Sequence, residues 1–256
     1  ILIALASLLL GLFLKKKINS WILIGGLLVL LTYDLLNVDL RYLNESNYVE
    51  DSDFESAFTP TEADVQIKND PDHANFRVFN STVDVFNDAS TSFHHNSVGG
   101  YHPAKLGLYQ DIIEHQLSKG NSRVFDMLNT KYFIQQNPAN GKPVAQLNPN
   151  AYGNAWLVKG IKVVSGANQE MLALDSTDLK DTAVIDGSNA AFSATIKVPF
   201  QFDLSASIKL KENLNDKISY NYSSTAPQFT VFSEVYYNKG WDAYVDGQKA
   251  DYVKVN

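Results

Sequence analysis

ILIALASLLLGLFL (residues 1–14) and WILIGGLLVLLTYDLL (residues 21–36) open the chain, and Lys15–Lys17 separate these two apolar stretches. Counted from residue 18 to residue 36, the second stretch is about 28 Å long as a helix that rises 1.5 Å per residue. That length is close to the hydrocarbon thickness of a bilayer, about 30 Å. The sequence therefore predicts a pair of transmembrane helices over residues 1–36, joined by a short basic turn.

The flanking residues agree with membrane insertion. Each Leu, Ile or Val favours insertion by about 0.3–0.6 kcal/mol, so a dozen of them outweigh Asp34, which we expect in the last helical turn near the interface. Trp21 and Tyr33 bracket the apolar stretch, as amphipathic rings do at membrane surfaces. Because short loops rich in lysine stay cytoplasmic, residues after about 37 are expected outside the cytoplasm, in a multi-pass protein of the inner membrane.

Two other interpretations compete. In a signal peptide, Lys15–Lys17 would be the basic start and residues 21–31 the apolar core. An apolar stretch before the lysines does not fit that pattern, and no A-x-A cleavage site follows. In a buried helical hairpin, the helices would show a polar face, and these stretches carry almost no polar residues.

Charge and composition restrict the classes of partner. The chain of 256 residues has 21 basic and 28 acidic residues; without Lys15–Lys17 and Asp34, 18 and 27 remain, a formal charge of −9. Nucleic-acid binding needs a basic face, so no nucleic-acid partner is expected. The sequence has no Cys, which excludes disulfides and thiolate sites. Because the chain starts at Ile1 and stops at Asn256 beside a predicted strand, we expect a piece of a longer membrane protein.

Residues 37–190 are predicted as an extracytoplasmic α/β domain. Thr59-Pro60-Thr61-Glu62 is typical of a capping box with Thr59 as the cap, opening a short helix that ends near Lys68. A longer helix is predicted from Pro103 to Lys119, with Gly120 as its stop.

Near residue 190 the pattern changes from helical spacing to strand alternation. Apolar residues alternate over residues 206–210 and 218–222, a third strand is predicted over 229–237, and Asp246-Gly247 marks a hairpin turn. Residues 191–256 are therefore predicted as an antiparallel β-sandwich-like module, truncated at its end. The fold class is α+β.

Two groups of side chains are candidate ligand contacts. His94, His95 and His102, beside Tyr101 and the Gly99-Gly100 turn, form the first. Three imidazoles within nine residues are compatible with a metal site, with an ordinary polar loop or with a ligand-contacting loop, and no metal is assigned.

Trp241 and Tyr244 form the second group, with Tyr236 and Tyr237 nearby. Aromatic rings on an open face stack on sugars, whereas rings at alternating strand positions more often belong to a core. One turn of helix also carries Asp111, Glu114 and His115, which fits either an acid–base pair or a solvated helix face. No catalytic residue is assigned.

Several short motifs in a fixed order resemble the bacterial membrane protein family YfhO. They are SVGGYHPAKL (residues 97–106), MLNTKYF (127–133), GNAWLV (153–158), and FSEVYY (232–237) followed by Gly240-Trp241 and Asp246-Gly247.

The resemblance implies the C-terminal part of an integral membrane protein similar to the lipid-sugar-dependent glycosyltransferases of the C superfamily. A polyprenyl-phosphate sugar would be the donor, an envelope glycopolymer the acceptor, and membrane lipid a further partner. The catalytic carboxylate of that superfamily lies in the first outer loop, which would precede Ile1, so this part would contain no catalytic residue and no cofactor. The expected function is recognition of the acceptor by the outer domain, through residues 93–103 or the face with Trp241 and Tyr244. The alternative is a membrane-tethered domain that binds a glycan or another partner without catalysis.

Overall fold

The computed structural model describes residues 1–56, 58–188 and 201–256. These residues divide into two compact units, residues 1–59 and residues 60–256. The first unit is helical and the second is a mixed α+β unit with small sheets. The predicted α+β class is therefore confirmed at this level.

The first unit contains the two apolar helices α1 (Leu2–Leu14) and α2 (Ser20–Tyr42), followed by the short helix α3 (Asp51–Ser56). The side chain of Asn19 caps α2 by accepting a hydrogen bond from the backbone N of Ile22 at 2.9 Å. None of the residues of α1 and α2 is buried, although both helices are mainly apolar.

Helix α2 is longer than the apolar stretch that predicted it. It continues six residues past Leu36 because no Gly or Pro interrupts residues 37–42. Asp34 consequently lies well inside the helix and not in its last turn, which corrects that expectation. Within the described residues, this is the one helix long and apolar enough to cross a membrane, and α1 is a shorter apolar helix.

The second unit contains five described α-helices. They are α4 (Glu62–Lys68), α5 (Ser90–His94), α6 (Gly107–His115), α7 (Ser122–Met127) and α8 (Ala167–Ala173). The strands up to residue 188 are β1 (Arg77–Asn80), β2 (Thr130–Gln136), β3 (Pro143–Leu147), β4 (Ala155–Val158), β5 (Gly160–Val164) and β6 (Thr182–Asp186). The strands after residue 200 are β7 (Ser207–Asn213), β8 (Ile218–Ser223), β9 (Phe229–Phe232), β10 (Ala243–Val245) and β11 (Gln248–Ala250).

The described strands form one three-stranded sheet and four strand pairs. In the three-stranded sheet, β2 is central, parallel to β1 and antiparallel to β3. The pair β5–β6 is parallel, whereas β4–β9, β7–β8 and β10–β11 are antiparallel.

Two apolar clusters form the interior of the second unit. Helix α4 covers one face of the three-stranded sheet, where Ile67 packs with Val78 and Ile134 in the smaller cluster. On the other face, the rings of Phe79 and Phe125 lie 4.7 Å apart, within the larger cluster that continues to helices α6, α7 and α8. Alternation along β1 explains the division, since adjacent strand residues point to opposite faces.

Two helix starts differ from the sequence predictions. The cap of α4 is Thr61, not Thr59, and the capping box is closed by Asp64. Helix α6 begins at Gly107, four residues after Pro103, and a separate 3-10 turn follows it. The predicted stop is confirmed, because Gly120 adopts the left-handed conformation (φ 70°) that ends helices.

The C-terminal strands pair beyond their own segment. The two strands predicted from alternation, β7 and β8, are present and pair with each other as an antiparallel hairpin. Asp246 and Gly247 turn the last hairpin with φ angles of 50° and 80°. Strand β9, however, pairs with β4, which precedes residue 190. The predicted boundary between residues 190 and 191 lies outside the described residues, and the sandwich-like arrangement stays a prediction.

Candidate functional site

The histidine-rich segment is divided between a buried and an exposed part. His95 is buried, and its Nε2 lies 3.0 Å from Oδ1 of Asp64 in helix α4. The other carboxylate oxygen of Asp64 accepts hydrogen bonds from the backbone N and the hydroxyl of Thr61, both at 2.7 Å. His95 therefore attaches the segment after α5 to the start of α4.

These contacts set the protonation state of Asp64. Burial alone raises the pKa of this carboxyl, but the hydrogen bonds from His95 and Thr61 outweigh it and lower the pKa to about 2. The carboxylate is therefore charged over the physiological pH range.

The other members of the predicted loop have different hydrogen-bond partners from His95, although the ring of His94 lies 6.1 Å from that of His95. His94 accepts a hydrogen bond from Nζ of Lys68 at 2.9 Å, and Nδ1 of His102 accepts one from the backbone N of Ala104 at 3.1 Å. Tyr101 is 68% exposed. Within the part of the chain that the structure describes, no group of three or more His, Cys, Asp or Glu side chains is placed to hold a metal ion.

The Gly99-Gly100 turn holds this segment against the chain near Val85. A Cβ on Gly99 would lie 2.0 Å from the carbonyl oxygen of Val85, so no larger residue fits there. Gly100 has a φ of 110° and donates its backbone N–H to the same carbonyl at 2.6 Å. The hydroxyl of Tyr109 also donates to the carbonyl of Val98, at 2.6 Å. The turn thus has a structural role and leaves Tyr101 and His102 at the surface.

The second predicted group is divided between the hairpin of β10 and β11, which carries Tyr244, and the segment just before it, which carries Trp241. Trp241 is 39% exposed, and its indole N–H donates to the carbonyl of Val235 at 3.2 Å. Tyr252 donates its hydroxyl to the carbonyl of Trp241 at 2.6 Å. These bonds fix the tryptophan in a defined orientation at the surface.

Tyr244 projects from the hairpin itself and is 60% exposed. It stands opposite Lys249 in the strand register, and Nζ of Lys249 lies 2.5 Å from the Asp242 carboxylate. The hydrogen bond with Asp242 raises the pKa of Lys249. Exposed Tyr244 therefore lies opposite a lysine that is paired with a carboxylate.

Sequence reasoning missed a third group, which lies around Arg77 at the start of β1. Nη1 of Arg77 donates to the carbonyls of Leu128 and Ser233, at 2.9 and 2.7 Å, and Nη2 lies 3.4 Å from the Glu234 carboxylate. Ser233 is buried and its hydroxyl donates to the carbonyl of Met127 at 2.9 Å. We call Arg77 with these partners the Arg77 junction.

Asn75 extends the junction to two further segments. Its carbonyl accepts hydrogen bonds from the side-chain amides of Asn129 and Asn154, at 2.9 and 2.8 Å. Three of the motifs that resemble YfhO, within residues 127–133, 153–158 and 232–237, therefore meet at one place. Their shared role is structural, because the guanidinium group bonds mainly to backbone carbonyls and so holds distant segments of the chain together.

The acid–base candidates on α6 are solvated. Asp111, Glu114 and His115 are exposed, whereas Ile112 and Ile113 of the same helix are buried. Glu114 accepts a hydrogen bond from the side chain of Gln110 at 2.8 Å. This pattern is that of the polar face of an amphipathic helix.

Comparison of the chain with models of protein families, with curated proteins and with solved structures found no match. The resemblance to the YfhO family is therefore carried by the sequence motifs alone.

Proposed function

We propose that the chain is part of a multi-pass membrane protein of the YfhO type, in which α1 and α2 anchor an extracytoplasmic domain. That domain recognises the acceptor while a sugar is transferred from polyprenyl phosphate to an envelope glycopolymer. The observation that carries the anchoring is that no residue of α1 and α2 is buried and that most of their large apolar side chains are exposed. Surfaces of this kind are stable in hydrocarbon, not in water.

The orientation of the anchor follows from its charges. Lys15–Lys17 lie in the turn between the two helices, and short basic turns stay in the cytoplasm. Both ends of the helix pair then face the outer side, and the unit of residues 60–256 works there. The strands after residue 200 would belong to the sandwich-like module of that outer domain.

Because the chain has no Cys, single cysteines report this orientation. We expect Asp216→Cys, in the exposed turn between β7 and β8, to react with an impermeant thiol reagent in intact cells. Lys17→Cys is the matched variant and should react only after the cells are broken. The reverse pattern would contradict the outward orientation and the envelope function with it.

Acceptor recognition is assigned to the exposed aromatic side chains of the outer unit. Trp241 and Tyr244 on the last hairpin, and Tyr101 with His102 after the Gly99-Gly100 turn, all reach the surface. Aromatic rings bind the apolar faces of sugars, and neighbouring polar groups bind the hydroxyls. Asp242 and Lys249 supply such groups on the hairpin.

The alternative is a membrane-tethered domain that binds a glycan without taking part in transfer. The exposed hairpin favours it as a second candidate, because aromatic stacking beside the Asp242–Lys249 pair is sufficient for binding. The two functions differ in what happens to envelope sugars when the gene is removed.

The discriminating experiment is deletion of the gene followed by sugar analysis of each envelope polymer. Transfer predicts loss of one sugar substituent, restored by the wild-type gene and reduced with Trp241→Ala combined with Tyr244→Ala. Tyr222→Ala, an exposed tyrosine on β8, is the matched control and should restore fully. Unchanged sugars in every fraction would contradict transfer; glycan binding that is nevertheless lost in the double variant would support tethered binding.

A further inference from the structure

The helix pair has an apolar groove along its side. The groove lies between α1 and α2, and its lining includes Leu8 and Leu9 from one helix and Gly25, Gly26 and Val29 from the other. The groove is shallow and open on its outer side, with space of about 370 Å³.

The two adjacent glycines of α2 have different effects on this groove. A Cβ on Gly26 would lie 2.8 Å from Cδ1 of Leu9, so this glycine allows the helices to come close. A Cβ on Gly25 would meet no atom within 4 Å. Gly26 therefore brings the helices together, while the missing side chain of Gly25 leaves open space beside the contact.

A fixed cluster of positive charge lies at the end of the same helix pair. Lys15, Lys16 and Lys17 are exposed in the turn that joins α1 to α2. Lys16 and Lys17 donate their backbone N–H groups to the carbonyls of Phe13 and Leu12, at 2.8 and 2.9 Å. This is the bonding pattern of a Schellman motif, which holds the three lysines in a defined turn.

Lysine is an unusual choice at the centre of that motif. Lys16 adopts φ 56°, a left-handed conformation that glycine normally occupies and that is unfavourable for residues with a Cβ. The turn thus retains a third positive charge at a position where an uncharged glycine would be more stable.

The groove and the lysines are spaced like the parts of a phospholipid. Leu9 lies six residues before Lys15, or about 9 Å along the helix, and Val29 lies nine residues after Ser20, or about 14 Å. One leaflet has a hydrocarbon depth of about 15 Å. A headgroup at the lysines therefore places its acyl chain at the depth of the groove.

We propose that the groove binds one acyl chain of an anionic phospholipid, whose phosphate is held by Lys15–Lys17. This inference rests on the membrane anchoring proposed above and is independent of sugar transfer. The occupant is an anionic lipid because the turn presents three positive charges and the described groove wall is apolar. Each lysine near an anionic lipid surface contributes about 1 kcal/mol, which corresponds to about a fivefold preference.

The test measures lipid retention by the full chain in nanodiscs made from equal amounts of phosphatidylglycerol and phosphatidylcholine. The readout is native mass spectrometry of the lipids that remain bound after the protein is released from the disc. We expect the wild type to retain phosphatidylglycerol at least about fivefold over phosphatidylcholine. The triple variant Lys15→Gln, Lys16→Gln, Lys17→Gln should lose that preference.

The groove is tested separately with Gly25→Leu, which fills the open space, and Gly25→Ala, which fills part of it. Retention of phosphatidylglycerol should fall in the order wild type, Gly25→Ala, Gly25→Leu. Gly11→Leu is the matched control, since a Cβ at Gly11 also meets no atom within 4 Å but this residue does not line the groove. It should retain lipid like the wild type.

Two results would overturn the inference: equal retention of both lipids by the wild type, or unchanged retention in Gly25→Leu and Gly25→Ala. Carbonate extraction of each variant from cell membranes accompanies the measurement. If the wild type is extracted as a soluble protein, the anchoring proposal itself is wrong; if it stays in the membrane without selective retention, only the lipid site is wrong.

Discussion

The two units of this chain use the same apolar residues in opposite ways. In α1 and α2, leucines such as Leu8, Leu28 and Leu31 are exposed, whereas Leu174 and Leu179 of the second unit are fully buried. The second unit buries many of its apolar residues in two clusters. In the first unit no residue of α1 or α2 is buried, which supports the proposal that these helices lie in a membrane.

The largest expected effect comes from charging the exposed face of α2. Each of Leu28→Lys and Leu31→Lys replaces a residue that favours insertion with one that opposes it, at a cost of about 3 kcal/mol each. The double variant should move from the carbonate-resistant membrane fraction to the soluble or aggregated fraction. Leu204→Lys, at a residue 90% exposed in the second unit, is the control and should leave the membrane fraction unchanged. Retention of the double variant in the membrane would contradict the proposal that the exposed leucines of α2 contact lipid.

A smaller effect is expected when a buried leucine is truncated. Leu179 is 0% exposed in the larger cluster, and its carbonyl accepts the indole N–H of Trp156 at 3.0 Å. Leu179→Ala should lower the free energy of unfolding by about 4 kcal/mol, because a cavity is left behind. Urea denaturation of the full chain in mild detergent, followed by circular dichroism, measures this change. Leu204→Ala should change the free energy of unfolding by less than about 0.5 kcal/mol. Equal effects of the two substitutions would contradict the assignment of Leu179 to the core.

The next largest effect on the free energy of unfolding is expected at the Arg77 junction. Arg77→Lys keeps the charge but loses the forked donors that reach the carbonyls of Leu128 and Ser233, so we expect a loss of about 3 kcal/mol in the free energy of unfolding. Arg123→Lys is the matched control, since Arg123 makes one exposed bond to the carbonyl of Asp175, and should cost less than about 1 kcal/mol. The same urea titration serves both variants. If the two variants lose the same free energy of unfolding, the Arg77 junction does not stabilise the second unit more than an ordinary surface hydrogen bond does.

The smallest effect depends on pH. The pKa of Asp64 is lowered in the folded state to about 2 from its ordinary 3.8, so its charge stabilises the fold above pH 4 and this contribution disappears as the pH falls through 2. At neutral pH, Asp64→Asn should cost about 2 kcal/mol. The difference between wild type and variant should shrink steadily between pH 4 and pH 2. A difference that is constant over this range would show that the charge of Asp64 is not responsible.

Local signals predicted local features. The left-handed stop at Gly120 and the turn at Asp246-Gly247 depend on a few adjacent residues, and both occur where expected. The helix cap shows where this reasoning ends. Thr59 and Thr61 are equally good caps by type, and Thr61 is used because Asp64 is buried against His95, which lies 31 residues further along the chain.

The candidate sites depend on contacts between residues that are still farther apart in the sequence. Nothing near Arg77 in the sequence indicates that its partner Ser233 lies 156 positions away. The pairing of β4 with β9 is hidden for the same reason, because alternation predicts a strand but not its neighbour. The histidine segment supplied the right residue types, and only the structure separates buried His95 from exposed His102.

The distance between Arg77 and Ser233 has a consequence for biogenesis. The bond from the guanidinium to the carbonyl of Ser233 cannot form until residue 233 has been synthesised, so this non-local contact forms late in folding. Arg77 thus joins distant segments of the second unit only after most of that unit has been synthesised.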